Sequence, residues 1–257
     1  MRVLAFNLFF YAFSFGVAAT AWGVARFGSQ AALRRLLAWW GRVTIGAVRL
    51  ILGGRVEVRG RERLPAGAAI IAPKHQSELD AILLFSLFSD LTAVVMKELE
   101  NYPFVGAMIA KLDLIAVAVD SGRQGRTQAV VAGATKALDE GRPVLIYPEG
   151  TLMSLGARER YRSGVWRIYA ASGAPVVPVA QSLGAIWPRR EWRKRTGRRG
   201  AVEFLEPIAP GLDEEAFMAL LETRVEDATM KLIREHADGA DLSAAEDRFA
   251  RRAANEA

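Results

Sequence analysis

The sequence predicts a single α/β domain with a mixed, mostly parallel sheet flanked by helices, preceded by a membrane-associated helical segment. Three observations predict it. Short apolar runs alternate with helical stretches from Gly54 onward, as in chains that wrap helices over a parallel sheet. Gly141, Gly173 and Gly200 punctuate the returns from helix to strand. The hydrophobic surplus of the chain is concentrated in its first 53 residues.

The whole chain sets the bounds. Its 257 residues are 51% hydrophobic, enough for one large domain with a sizeable core. The absence of cysteine removes disulfides and thiolate chemistry, and two histidines argue against a protein metal cluster. A formal charge of +6 favours an anionic partner, whether membrane surface, acidic cofactor or nucleic acid.

Leu4 to Ala25 carries no charge and is bracketed by Arg2 and Arg26, so it can just cross a hydrocarbon core. Ala31 to Leu52 is amphipathic, with Arg34, Arg35, Arg42 and Arg49 among leucines, valines and Trp39-Trp40. That pattern fits a helix at a lipid headgroup boundary, with a core helix packed on the domain as the lesser alternative. The favoured reading is an anchor over 1–53, spanning once or re-entrant, with its arginines on the cytoplasmic side of the inner membrane.

The domain proper is expected over 54–237. Arg55–Arg59 alternates as a half-exposed strand does. Further strands are expected at Ala68–Ala72, Thr92–Met96, Leu114–Val119, Pro143–Tyr147, Pro175–Ala180 and Ala201–Leu205. Helices are expected over Ala81–Phe88, Tyr102–Lys111, Arg126–Asp139 and Val165–Ala171. Asp213–His236 closes the domain as an amphipathic helix, and 238–257 reads as a solvated helix or frayed tail.

The stretch Lys74-His75-Gln76-Ser77-Glu78-Leu79-Asp80 lies between an apolar strand and an apolar helix. The carboxyl ends of strands are where α/β sheets leave a crevice for ligands. A neutral imidazole can accept a proton near neutral pH, and a carboxylate on its other nitrogen fixes the tautomer. His75 and Asp80 suit that task. The same spacing also fits a plain helix cap, with Ser77 capping and Asp80 at the third helical position. No Gly-x-Ser-x-Gly is present, so a base here would activate a hydroxyl of a substrate.

Three further blocks follow: Lys97-Glu98-Leu99 with Pro103-Phe104-Val105-Gly106, then Tyr147-Pro148-Glu149-Gly150-Thr151, then Val177-Pro178-Val179. Together with His75 and Asp80, in this order, they resemble the glycerolipid acyltransferase family, including its bacterial 1-acylglycerol-3-phosphate acyltransferase-like members. The resemblance runs from about Gly54 to Glu235 and includes Trp187-Pro188-Arg189-Arg190.

The resemblance implies an O-acyltransferase with His75 as base and Asp80 orienting it. The donor would be an acyl-CoA or acyl-carrier protein, and the acceptor a lysolipid, foremost 1-acylglycerol-3-phosphate. No cofactor and no metal are implied. Glu149, Gly150 and Thr151 would shape the acceptor pocket, and Lys97 would meet the acceptor phosphate. The chain departs from the family pattern at three places. Leu152 stands where an arginine normally follows Glu-Gly-Thr, an Asp-Arg pair is replaced by Asp120-Ser121-Gly122-Arg123, and Lys74 stands where many members have asparagine. Arg123, Arg126, Arg158 or Arg162 is then expected to compensate for the missing guanidinium. Otherwise the acceptor is a lyso-ornithine lipid or another lysophospholipid. A non-catalytic lipid-binding protein and a thioesterase are the competing classes.

The basic cluster Arg189, Arg190, Arg193, Lys194, Arg195, Arg198 and Arg199 comes without a nucleic-acid fold signature. Anionic headgroups or the phosphates of coenzyme A are its expected partners, and no nucleic acid. His236 has no partner in the pattern and is read as structural or exposed.

Overall fold

The computed structural model describes residues 1–117 and 123–237, without the side chains of residues 123, 124 and 126. The end of the strand expected at Leu114–Val119, the Asp120-Ser121-Gly122 stretch, the Arg123 and Arg126 side chains and the 238–257 tail lie outside the described residues.

Two helices open the chain, α1 (Arg2–Phe27) and α2 (Gln30–Leu50), with Ser29 capping the second. Then come β1 (Arg55–Arg59), β2 (Ile70–Pro73), α3 (Glu78–Leu87), β3 (Thr92–Met96), α4 (Val105–Leu112), β4 (Ile115–Val117), α5 (Arg123–Asp139) and β5 (Val144–Leu145). The chain continues through α6 (Gly164–Ser172), β6 (Val176–Gln181), β7 (Arg199–Phe204) and α7 (Glu214–His236), the last capped by Asp213. The expected strands all form, within a few residues of the expected bounds, as strand ends depend on which ladder bonds close.

The sheet order is β1-β7-β6-β2-β5-β3-β4. Every neighbouring pair is parallel except β6 with β7, so the sheet is mixed and mostly parallel, as expected. The path from β2 runs outward to β3 and β4, returns to β5, then crosses to β6 on the other side of β2. This reversal places a crevice at the carboxyl end of β2, where open α/β sheets take their ligands.

Alternation along the central strands feeds two separate apolar layers. Ile71, Leu145, Val177 and Val179 face a cluster with Leu79, Leu83 and Leu84 of α3 and with Phe6, Val48 and Leu52 of the N-terminal helices. Ile70, Ala72, Val144 and Val176 face the opposite cluster, built with Val130 and Ala134 of α5, Ile168 of α6, and Phe217, Leu221 and Val225 of α7. Burial on both faces is why these strands read as continuous apolar runs. The helices α1 and α2 thus share the core of the sheet. Arg34 of α2 pairs with Asp90 at 2.5 Å, so one arginine of the amphipathic helix is spent inside the protein.

Candidate active site

The site is built on the step from β2 to α3. Four buried residues end at Pro73, and the chain then turns through Lys74, His75 and Gln76 before Ser77 caps α3. Ser77 Oγ accepts from the Leu79 N–H at 3.1 Å, while Asp80 Oδ2 accepts from the N–H groups of Gln76 (3.0 Å) and Ser77 (3.1 Å). The capping box is therefore real. It is also compatible with the other role, because the Asp80 carboxylate lies 3.0 and 3.1 Å from His75 Nδ1. One side chain caps the helix and holds the imidazole.

Asp80 is fully buried and collects further donors, the Tyr147 hydroxyl at 2.9 Å and Gln181 Nε2 at 2.6 Å. Gln181 also donates to the Lys74 carbonyl, tying the end of β6 to the loop after β2. The Tyr147 ring stacks on His75 with centroids 3.8 Å apart. Desolvation, with the Asp80 charge second, pushes the Tyr147 hydroxyl well above its usual range, so it remains a donor. The His75 side chain is 21% exposed, and with Nδ1 engaged, Nε2 is the nitrogen left for a substrate.

The His75 backbone is bracketed by the loop after β5. Its N–H donates to Glu149 Oε2 at 2.9 Å, and its carbonyl accepts from the Met153 N–H at 2.6 Å. Glu149 is thus 1% exposed and aimed at the protein, where an acceptor pocket was expected. Its other oxygen meets Lys74 Nζ at 2.5 Å. Lys74 is wholly buried and donates also to Glu226 of α7 at 2.7 Å and to the Ala157 carbonyl at 2.8 Å. Glu226 accepts from the Tyr161 hydroxyl at 2.9 Å and lies 3.7 Å from Arg158 Nε. Burial pushes the Glu149 carboxyl up to about 7, against the opposing pull of Lys74.

The remaining expected residues fall around this centre. Lys97 is exposed at the carboxyl end of β3, at the same end of the sheet as His75. Thr151 and Leu152 are half-buried in the loop after β5. Arg158 turns inward to Glu226, and α5 begins at Arg123. Gly150 has φ +63°, and the Arg162 guanidinium group lies across its open face. The basic run after Trp187 is not one exposed face. Lys194 is 5% exposed, 4.4 Å above the Trp187 ring, and Arg199 pairs with Glu57 at 2.7 Å. His236 is buried, 3.1 Å from Ser182 Oγ.

Gln181, Tyr161 and Glu226 escaped the sequence reading, and Lys74 entered it only as a departure from a pattern. Lys74 carried one signal, a charge directly abutting four buried strand positions. Glu226 adjoins Val225 on the buried face of α7, which sequence spacing hints at weakly.

An imidazole held on one nitrogen by a buried carboxylate, with its other nitrogen free at a crevice, has the geometry needed to exchange a proton with a bound hydroxyl. The family model described as Acyltransferase matches residues 55–182, a span that contains every element of this centre but Glu226, so the chain carries an Acyltransferase domain. A 1-acyl-sn-glycerol-3-phosphate acyltransferase of Pseudomonas aeruginosa is 34% identical over 158 residues, 62% of this chain and 61% of that protein. The 1-acyl-sn-glycerol-3-phosphate acyltransferase alpha of Bos taurus is 23% identical over 76% of this chain and 68% of its own length. The crystal structure of the 1-acyl-sn-glycerophosphate acyltransferase of Thermotoga maritima shares the fold. It matches with a TM-score of 0.73 at 21% identity, covering 90% of this chain and 98% of that one.

Proposed function

We propose that the protein transfers a fatty acyl group from an acyl thioester, acyl-CoA or acyl-carrier protein, to the free hydroxyl of 1-acylglycerol-3-phosphate. The observation that carries this reading is the His75 Nδ1–Asp80 contact at 3.0 Å in a domain of the acyltransferase family. His75 Nε2 takes the proton of the acceptor hydroxyl as its oxygen attacks the thioester carbonyl. The C–S bond then breaks, and the thiolate leaves with a proton returned from the imidazolium. Asp80 stabilises that imidazolium and, through Tyr147 and Gln181, keeps the ring in one orientation. The reading calls for the thioester as co-substrate and no further cofactor.

The reaction belongs at a membrane surface on the cytoplasmic face, where lysolipid and soluble thioester meet. Leu4, Leu8, Tyr11, Phe15 and Trp22 form an exposed stripe along α1, while Phe6, Ala21 and Ala25 of the same helix are buried against the protein. A helix packed along its length cannot cross a bilayer without leaving the domain. The stripe therefore favours docking into one leaflet over the spanning alternative. An open cavity of about 520 Å³ beside Glu78, lined by Phe10, Trp40, Ile82 and Trp187, offers apolar room for a chain next to this stripe.

The test is thiol release and product mass spectrometry with purified protein, an acyl-CoA and a lysolipid panel. Phosphatidic acid is the expected product. His75→Ala is expected to lower turnover by about 10²–10⁴-fold, the usual worth of a positioned base. Wild-type turnover in that variant would remove the assigned base.

A further inference from the structure

The loop from Ala157 to Ser163 carries three arginines at alternate positions, and the structure gives them different surroundings. Arg158 faces inward to the buried Glu226 carboxylate, and Tyr161 follows it into the same network. Arg162 points the other way. Its backbone N–H donates to the Pro148 carbonyl at 2.8 Å, fixing it to the turn that precedes Glu149 and Gly150. Its side chain is exposed, and among the described residues its guanidinium has no hydrogen-bond acceptor and no carboxylate.

The guanidinium nonetheless lies close against the loop after β5. A Cβ on Gly150 would stand 2.7 Å from Arg162 Nε and 2.8 Å from Cζ, so the group lies flat on the bare backbone of this residue. Gly150 thereby serves twice, adopting a φ of +63° and leaving room for a planar cation. The next residue back, Glu149, grips the His75 N–H, and Met153 grips the His75 carbonyl. A cation without a carboxylate partner among the described residues thus sits against the very loop that frames the base. Such a planar fork is matched by a phosphate, which accepts two parallel N–H bonds. Leu152, the neighbour that could otherwise supply a polar group, supplies none.

We infer that Arg162 binds the phosphate of the acceptor lipid and so sets the acceptor preference of the enzyme. This deepens the reading of the protein as a lysophosphatidate acyltransferase and rests on it. The phosphates of coenzyme A are the other source of the same chemistry, and kinetics separate the two.

The experiment measures KM and kcat of wild type, Arg162→Ala and Arg162→Lys with 1-acylglycerol-3-phosphate, with neutral 1-acylglycerol, and with varied acyl-CoA. A charge-assisted contact of this kind is worth a factor of about 10–100 in binding. Arg162→Ala is expected to raise KM for 1-acylglycerol-3-phosphate by that factor while kcat and the acyl-CoA KM stay within about threefold. Arg162→Lys should recover part of the loss, and turnover of 1-acylglycerol should not respond. An unchanged KM for 1-acylglycerol-3-phosphate in Arg162→Ala overturns the inference and leaves the function standing. A rise confined to the acyl-CoA KM overturns it in favour of the donor. Wild-type protein that acylates 1-acylglycerol but never its phosphate overturns the acceptor reading and the inference together.

Discussion

Lys74 carries its charge with no solvent contact, and two carboxylates, Glu149 and Glu226, lie within 2.7 Å of its ammonium. Removing one member of such a group leaves the others buried and unpaired, at a cost of about 3–5 kcal/mol. Glu149 is the member whose titration can be followed. Burial holds its carboxyl at about 7, above the ordinary 4.5. The folded protein therefore keeps a proton that the unfolded chain has released. Stability from this group is present in full below pH 4.5 and is lost as pH rises through 7, by a few kcal/mol at most. Glu149→Gln cannot titrate. Urea unfolding of both proteins in detergent across pH 4.5 to 7 should show the wild type losing stability relative to the variant. A constant difference over that window would show that Glu149 does not hold a raised pKa. At this scale His75 and Asp80 were legible, because five residues of local chain bring them together. Lys74, Glu226 and Gln181 were not, since their partners lie 75, 152 and 101 positions away.

The helix α3 decides where Asp80 points, and α2 lies directly upon it. Gly41 makes that approach possible. A Cβ at Gly41 would meet Ser86 Cβ at 2.8 Å and the Ile82 carbonyl at 2.9 Å, and a backbone oxygen cannot move aside. Gly41→Val must push the two helices apart, and overpacking of this kind costs about 1–3 kcal/mol. A lower urea midpoint with unchanged m-value is the expected outcome. An unchanged midpoint would mean that α2 does not rest on α3 at this point. The amphipathic pattern over Ala31–Leu52 was visible in the sequence, but which face meets the protein and which stays exposed was not. Leu33, Ala47 and Val48 are buried inside, while Trp39 and Leu50 stay exposed.

As a whole the molecule presents its crevice at the carboxyl end of the central strands and an apolar stripe along α1. Leu8 is 71% and Phe15 67% exposed, a costly arrangement in water unless a lipid surface covers them. Burying two such side chains contributes about 3–6 kcal/mol, so Leu8→Asp with Phe15→Asp should weaken binding to anionic vesicles by about 100-fold or more. Neither side chain is in the core, so the melting temperature in detergent should stay close to wild type. Sedimentation with vesicles measures the first and thermal unfolding the second. Undiminished vesicle binding would remove α1 from the membrane contact.

The sequence by itself determined the α/β class, the strands, the cap of α3, and the His75–Asp80 pair. These rest on periodicity, side-chain capping and short separations, all written locally in the chain. Only the tertiary structure decided that one aspartate both caps and orients. It also decided that Glu149 faces a buried lysine, and that Arg162 lies free across Gly150 while Arg158 does not. Those outcomes depend on the sheet order, which sets the ends of β2, β5 and β6 side by side. Contacts across adjacent strand ends leave no period in the sequence, because the residues that make them are chosen by folding and not by spacing.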